Sequence, residues 1–182
     1  MANEQHDIKT FNASSELDEQ KKIWAILEEV PDPEVPVISV VDLGVVRGVE
    51  ILQASFENEQ PLVIISITPT YSGCPAMDMI AMNIRIALLQ HGYKHVEIKS
   101  VLSPAWTTDW MSESGKQKLK AFGIAPPVGK SLDADSLKEI VVECPLCHSN
   151  QTHMISHFGS TSCKALYQCN DCKEPFDYFK CH

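Results

Sequence analysis

Apolar residues in this chain change their period several times, and each change marks an element. The run Leu62-Val63-Ile64-Ile65-Ser66-Ile67 is the most apolar stretch, and a short β-branched run of that kind predicts a buried strand. Directly after it, Met77, Ile80, Ile84 and Leu88 recur at near-helical spacing, so the chain passes from strand to amphipathic helix within one loop. Upstream, Ile23, Leu27 and Val30, with Trp24 beside them, form the inner stripe of a first helix. Ser15 is placed to cap it, Glu16, Asp18 and Glu19 suit its first turn, and Pro31 ends it. Val45 to Ile51 reads as a strand joined to the buried one by the polar turn Glu57–Pro61, and two strands joined this way most simply pair antiparallel. Gly92 closes the second helix, and His95-Val96-Glu97-Ile98-Lys99 alternates as a strand with one wet face does. The order helix, strand, strand, helix, strand predicts an α+β fold, a two-layer domain with a small, mostly antiparallel sheet.

Past Ser100 the pattern loosens. Ser103 to Trp110 carries two of the three tryptophans in a polar setting, which suits an interaction surface or packing over a core edge equally well. Ser112 to Phe122 predicts a short helix whose Lys116, Lys118 and Lys120 read as a solvated face. Pro126 to Ser136 is the best linker in the chain. Beyond it come three short strand-like runs, Met154–Phe158, Ala165–Gln168 and Phe176–Phe179, with too few apolar residues to fold unaided. The expected organisation is therefore a disordered segment over 1–14, the α+β domain over 15–125, a linker over 126–139 and a small β module over 140–182.

Charge and composition narrow the function. The net charge is −9, and −8 of it lies in residues 1–140; neither part has the basic surplus that phosphate neutralisation needs, which argues against nucleic acid. The first ten residues are polar and no apolar run reaches membrane-spanning length. A cytoplasmic protein is expected, with no membrane partner, and its seven cysteines serve metals rather than disulfides.

Two places carry chemistry. Cys144-Pro145-Leu146-Cys147 and Cys169-Asn170-Asp171-Cys172 are CxxC pairs separated by residues 148 to 168; two such knuckles bring four thiolates into the tetrahedron that zinc, and iron equally, accepts. Cys163 and Cys181, like His148, His153, His157 and His182, stand outside any spacing motif; as spare ligands they could bind a second metal or cluster, but inert buried thiols and surface imidazoles are the plainer reading. The second place is Thr70-Tyr71-Ser72-Gly73-Cys74-Pro75-Ala76. Pro75 suits a first helical turn, so Cys74 falls at a helix N-terminus, where unpaired N–H groups favour thiolate over thiol; a small buried hydrophobe is the plainer reading. The loop Pro31-Asp32-Pro33-Glu34-Val35-Pro36 holds two carboxylates in a restricted backbone, although a solvated turn explains it as simply.

With Pro31-Asp32-Pro33-Glu34, Val41-Asp42-Leu43-Gly44 and Thr68-Pro69-Thr70…Cys74 in view, the first 125 or so residues resemble the SufT-type iron–sulfur assembly domain. Pro104–Met111, Gly159–Tyr167 and Glu174–Cys181 extend the resemblance, over roughly residues 16 to 182, to the PaaD family of bacterial phenylacetyl-CoA epoxidase systems. The resemblance implies an accessory protein and not an enzyme: one that helps mature a ring-epoxidising monooxygenase, through cluster assembly or transfer to its iron–sulfur flavoreductase. A docking scaffold or structural subunit of the oxygenase complex is the alternative, with Trp106 and Trp110 on the docking surface. Cys74 matches the family cysteine and Asp32 the acidic residue of its Asp-Pro-Glu motif, which makes both candidate ligands of a transient cluster. Cys144, Cys147, Cys169 and Cys172 would hold structural zinc in a C-terminal ribbon. One exposed cysteine leaves a cluster under-ligated, so a second protomer or the client, reductase or oxygenase, would complete it.

Overall fold

A computed structural model describes residues 13–52, 60–71, 73–128 and 140–180. Helix α1 (Ala13–Glu28) precedes strands β1 (Val46–Leu52) and β2 (Leu62–Ile67), then helix α2 (Ala76–Gln90) and strand β3 (His95–Ser100). The three strands form one sheet in the order β1-β2-β3. β1 and β2 pair antiparallel, as expected, whereas β3 lies parallel to β2, because α2 is a crossover and returns the chain to the same end of the sheet. Ile23 and Leu27 of α1, Ile80, Ile84 and Leu88 of α2, and Val63, Ile65 and Ile67 of β2 close on one core. α1 begins at Ala13, two residues before Ser15, the cap expected from the sequence. Residues 1–12 of the segment expected to be disordered lie outside the described residues; Ala13 and Ser14 already belong to the helix.

After a 3-10 turn at Thr108–Trp110 and helix α3 (Glu113–Phe122), the chain makes a two-residue strand, β4 (Ile124–Ala125). The C-terminal module supplies β5 (Thr152–Ser156), β6 (Lys164–Cys169) and β7 (Pro175–Phe179), close to the three runs read from the sequence. These strands form a second sheet in the order β4-β7-β6-β5. β5–β6 and β6–β7 are antiparallel, and β4 adds in parallel beside β7. β4 leaves α3 and enters the sheet of the C-terminal module, a join that two residues are too short to announce by periodicity. Val128 N–H donates to the Tyr178 hydroxyl at 3.2 Å, which ties down part of the expected linker. Cys163 and Phe179 of the module belong to the same apolar core as α1 and α2.

The Val41-Asp42-Leu43-Gly44 segment turns out to be structural. The Asp42 carboxylate accepts from Ser112 Oγ at 2.5 Å and Lys118 Nζ at 2.6 Å, and the Asp42 carbonyl accepts from Ser112 N–H at 2.9 Å. Ser112 in turn caps α3 by accepting from Gly115 N–H. Lys118 thus pins α3 to the Asp42 loop, Lys120 pairs with Glu143 at 2.9 Å and Lys116 with Glu113 at 2.7 Å within the helix, so all three lysines hold partners, two of them outside α3, rather than forming a merely solvated face. Gly44 adopts φ +73°, and a Cβ there would stand 2.3 Å from the Trp110 carbonyl oxygen; only glycine lets that backbone approach so closely. Trp106 is 3% exposed and donates its indole N–H to the Leu43 carbonyl at 3.0 Å. It is a core residue, which removes it from the expected docking surface. Trp110 is half-buried under the Arg47 guanidinium, 3.5 Å from its ring centre.

Burial by itself would raise the Asp42 carboxyl, but Lys118, Ser112 and the Ser39 N–H together outweigh it and hold the group below its ordinary value. A carboxylate with a depressed folded-state pKa adds stability above its unfolded value, near pH 4, and loses it as pH falls through the folded value. Asp42→Asn is therefore expected to cost about 1–2 kcal/mol at pH 7, read as a lower urea midpoint at unchanged slope. The gap from wild type should narrow as pH falls below about 4; a gap constant from pH 7 to pH 3 would contradict this account.

Candidate metal and cargo sites

The four cysteines of the CxxC pairs converge. Their ligand atoms all lie within 4.8 Å of one another, with Sγ–Sγ distances of 3.8 Å for Cys144–Cys172 and 3.5 Å for Cys147–Cys169. Each pair sits in the same backbone turn. His148 N–H donates to the Cys144 carbonyl and Lys173 N–H to that of Cys169, while Cys144 N–H donates to Ser149 and Cys169 N–H to Glu174. His148 and Lys173, each just after the second cysteine of its pair, are left-handed at φ 62° and 67°. Two matching turns from distant sequence therefore present two sulfurs each. Glu143 braces the first turn to α3, holding Lys120 Nζ at 2.9 Å and His148 Nδ1 at 2.7 Å.

The thiols differ sharply in acidity. N–H groups of Cys172 and Asp171 hold the Cys169 thiol down to about 7. The N–H of Ser149 favours the Cys147 thiolate, but the neighbouring sulfurs of Cys169, Cys172 and Cys144 push that thiol up to about 12. Four thiolates this close need a cation among them, and the all-sulfur tetrahedral donor set suits zinc.

Cys74 lies in the turn between β2 and α2. Gly73 before it is left-handed at φ +83°, and Pro75 after it is already helical. The thiol is half-buried, not exposed as expected. Burial is the largest influence on it and pushes it up; the Ala76 N–H at the helix end favours the thiolate, yet burial with the Glu34 and Asp32 carboxylates outweighs that help. The helix terminus alone thus does not make this sulfur anionic.

Asp32 is 5% exposed and shares a cleft with Cys74. Its Oδ1 accepts from Glu34 N–H at 2.9 Å and Val35 N–H at 2.7 Å, so the loop is a self-braced turn with Asp32 and Val35 buried, while Pro31, Pro33 and Pro36 face solvent. Burial raises its pKa in spite of those two bonds. The same cleft is lined by Glu34, Thr70 and, from the C-terminal module, Cys163. Cys163 reaches it from the loop before β6, its Sγ 3.5 Å from Glu34 Oε2 and 3.0 Å from Thr161 Oγ1. Burial pushes its thiol up to about 11. The sequence reading brings Cys74 and Asp32 together through family resemblance alone and leaves Cys163 aside, because the residues that surround it come from other elements. Cys181 lies outside the described residues.

An α+β domain with a half-buried cysteine at a crossover-helix terminus, joined to a four-cysteine ribbon, defines a class of metal-handling protein, and comparison with known proteins gives that class its family. Residues 20–99 match the family described as "Iron-sulfur cluster assembly protein", and residues 129–180 match "PaaD zinc beta ribbon domain". The chain belongs to the PaaD family of phenylacetyl-CoA epoxidase components. It is 48% identical over 160 residues, 88% of this chain and 92% of the relative, to the Escherichia coli (strain K12) protein named as the D component of 1,2-phenylacetyl-CoA epoxidase. Over 57% of its length it is 34% identical to an "Fe-S protein maturation auxiliary factor" of Porphyromonas gingivalis (strain ATCC BAA-308 / W83), covering 92% of that protein. The crystal structure of a domain of unknown function, DUF59, from Bacillus anthracis superposes with a TM-score of 0.50 at 31% identity, covering 59% of this chain and 97% of that one. An accessory role in iron–sulfur assembly follows for the family. Among the described residues no helix is long and apolar enough to cross a membrane.

A structural ion in the ribbon makes a direct prediction. Purified protein is expected to carry about one zinc per chain, and Cys169→Ser to lose most of it, with a lower thermal midpoint. Cys74→Ala should keep the full complement. Metal analysis beside thermal unfolding checks both; full zinc in Cys169→Ser would overturn the assignment.

Proposed function

We propose that this protein is a non-catalytic maturation factor for a phenylacetyl-CoA-epoxidising monooxygenase. It takes up an iron–sulfur cluster as cargo at Cys74, beside Asp32, and passes it to the reductase component of that system. Cys144, Cys147, Cys169 and Cys172 hold a structural zinc that folds the ribbon.

The observation that carries this reading is the contrast between the two sulfur sites. The ribbon offers four matched thiols in a closed tetrahedron, the form of a resident ion. Cys74 sits in an open-sided cleft with acidic neighbours and an incomplete donor set, which suits a group that must also leave. Among the described residues the cleft's lining includes no histidine to serve as a base for nucleophilic chemistry at Cys74. Asp32, with one oxygen committed to its own turn, shapes the acidic wall as much as it offers a ligand. The scaffold reading loses ground with Trp106 in the core. The partners are the iron–sulfur flavoreductase or oxygenase subunits, and a second copy of this chain is the other source of completing ligands.

Cys74→Ala, introduced in cells that assemble the epoxidase, is expected to leave the protein folded and zinc-loaded. Iron and acid-labile sulfide in the reductase purified from those cells should fall several-fold, roughly fivefold or more if one ligand carries the transfer. Reductase with its normal cluster content would sink the proposal.

A further inference from the structure

Cys163 has the burial of a packing residue and the contacts of something else. It is 5% exposed and belongs to the apolar core, yet its sulfur also meets a carboxylate and a hydroxyl. It opens onto the same cleft as Cys74. No feature of the ribbon's metal site requires it, since the four ribbon cysteines are complete among themselves.

We infer that Cys163 is a second thiolate ligand of the cargo held at Cys74, so that the cleft is a two-thiolate site built across the join of the two modules. This rests on the reading of Cys74 proposed above.

Several observations converge on it. Each module supplies one sulfur, and neither module contains the site by itself. Cys163 is held firmly: Lys180 N–H donates to its carbonyl at 2.9 Å, and Phe179, on the neighbouring strand β7, is 1% exposed and packs edge-on against Trp106 at 6.3 Å. Glu34, the polar partner of the Cys163 thiol, is fixed through the Asp32 turn. Soft sulfur ligands select iron–sulfur or zinc chemistry over magnesium or calcium. The cleft's cavity volume is only about 10 Å³, room for roughly one water-sized body. A cluster would therefore sit at the mouth with its outer face open to a client.

The step balances without a redox partner. Each S–H bond is replaced by an Fe–S bond, and two protons leave. Glu34, already hydrogen-bonded to the Cys163 thiol, is placed to receive one of them and pass it to solvent. Delivery reverses this, with the client's thiolates displacing the two sulfurs.

The test uses the full-length chain, supplied with ferrous iron and sulfide anaerobically under excess thiol reductant, then desalted. Wild type, Cys74→Ala, Cys163→Ser and Cys163→Ala are compared for iron, acid-labile sulfide, visible charge-transfer absorption, zinc and thermal midpoint. Both Cys163 variants are expected to retain roughly tenfold less iron than wild type, at least what loss of an outer partner of a ligand produces, with zinc unchanged. Wild-type iron in both Cys163 variants beside loss in Cys74→Ala would overturn this inference and leave the Cys74 reading standing. Wild-type iron in all three variants, or none in wild type, would overturn both. Iron lost only together with zinc would assign Cys163 to packing and likewise overturn the inference.

Discussion

The cleft exists because two residues of backbone, Ile124 and Ala125, pair with Asp177 and Tyr178. That short parallel pairing extends the ribbon sheet with a strand fed from α3 of the assembly domain. With β7 held there, Phe179 enters the domain core and the loop before β6 brings Cys163 over α2's N-terminus. Two strand residues contribute little free energy by themselves. Their register is secured by what flanks them: the Asp42–Lys118 contact on α3, the Lys120–Glu143–His148 bridge, and the burial of Phe179 against Trp106. The charged bridges are partly exposed and individually weak, so apolar burial at Phe179 supplies most of the hold.

Around this join the protein keeps two sulfur environments apart in character. In the ribbon, twin turns aim N–H groups and sulfurs inward, so an ion there is enclosed and its removal would cost the module its fold. In the cleft, burial opposes ionisation of both cysteines, joined by the Glu34 and Asp32 carboxylates at Cys74 and by Glu34 at Cys163. A cation entering the cleft must displace protons from reluctant thiols, and on leaving it returns them. On the proposed reading, such a site would bind less tightly than a tetrathiolate one, which fits handing over more than keeping.

The two acidic loops acquire distinct physical jobs. Asp32 braces its own turn and presents Glu34. Asp42 and Gly44 serve the fold: one gathers Ser112 and Lys118, the other clears space for the Trp110 backbone. Two acidic motifs that look alike in a one-dimensional reading thus divide into a wall of the cleft and a clamp on α3.

Local pattern decided a good deal unaided. The β2 run, the α2 stripe and the ribbon strands were legible because burial imposes a period on neighbouring residues, and the four ribbon cysteines because a tetrahedral ion imposes CxxC spacing on short turns. What depends on residues far apart was not legible. The tryptophan-rich segment looked polar, but Trp106 turned inward because the Leu43 carbonyl accepts its N–H. Cys74 stood at a helix terminus as the pattern implied, but its acidity was decided by burial and by carboxylates well upstream, on the Asp32 and Glu34 turn. Cys163 carried no spacing signal at all, since its neighbour Glu34 lies 129 residues away. Only the tertiary fold, through β4 and Phe179, decided that these groups face one another.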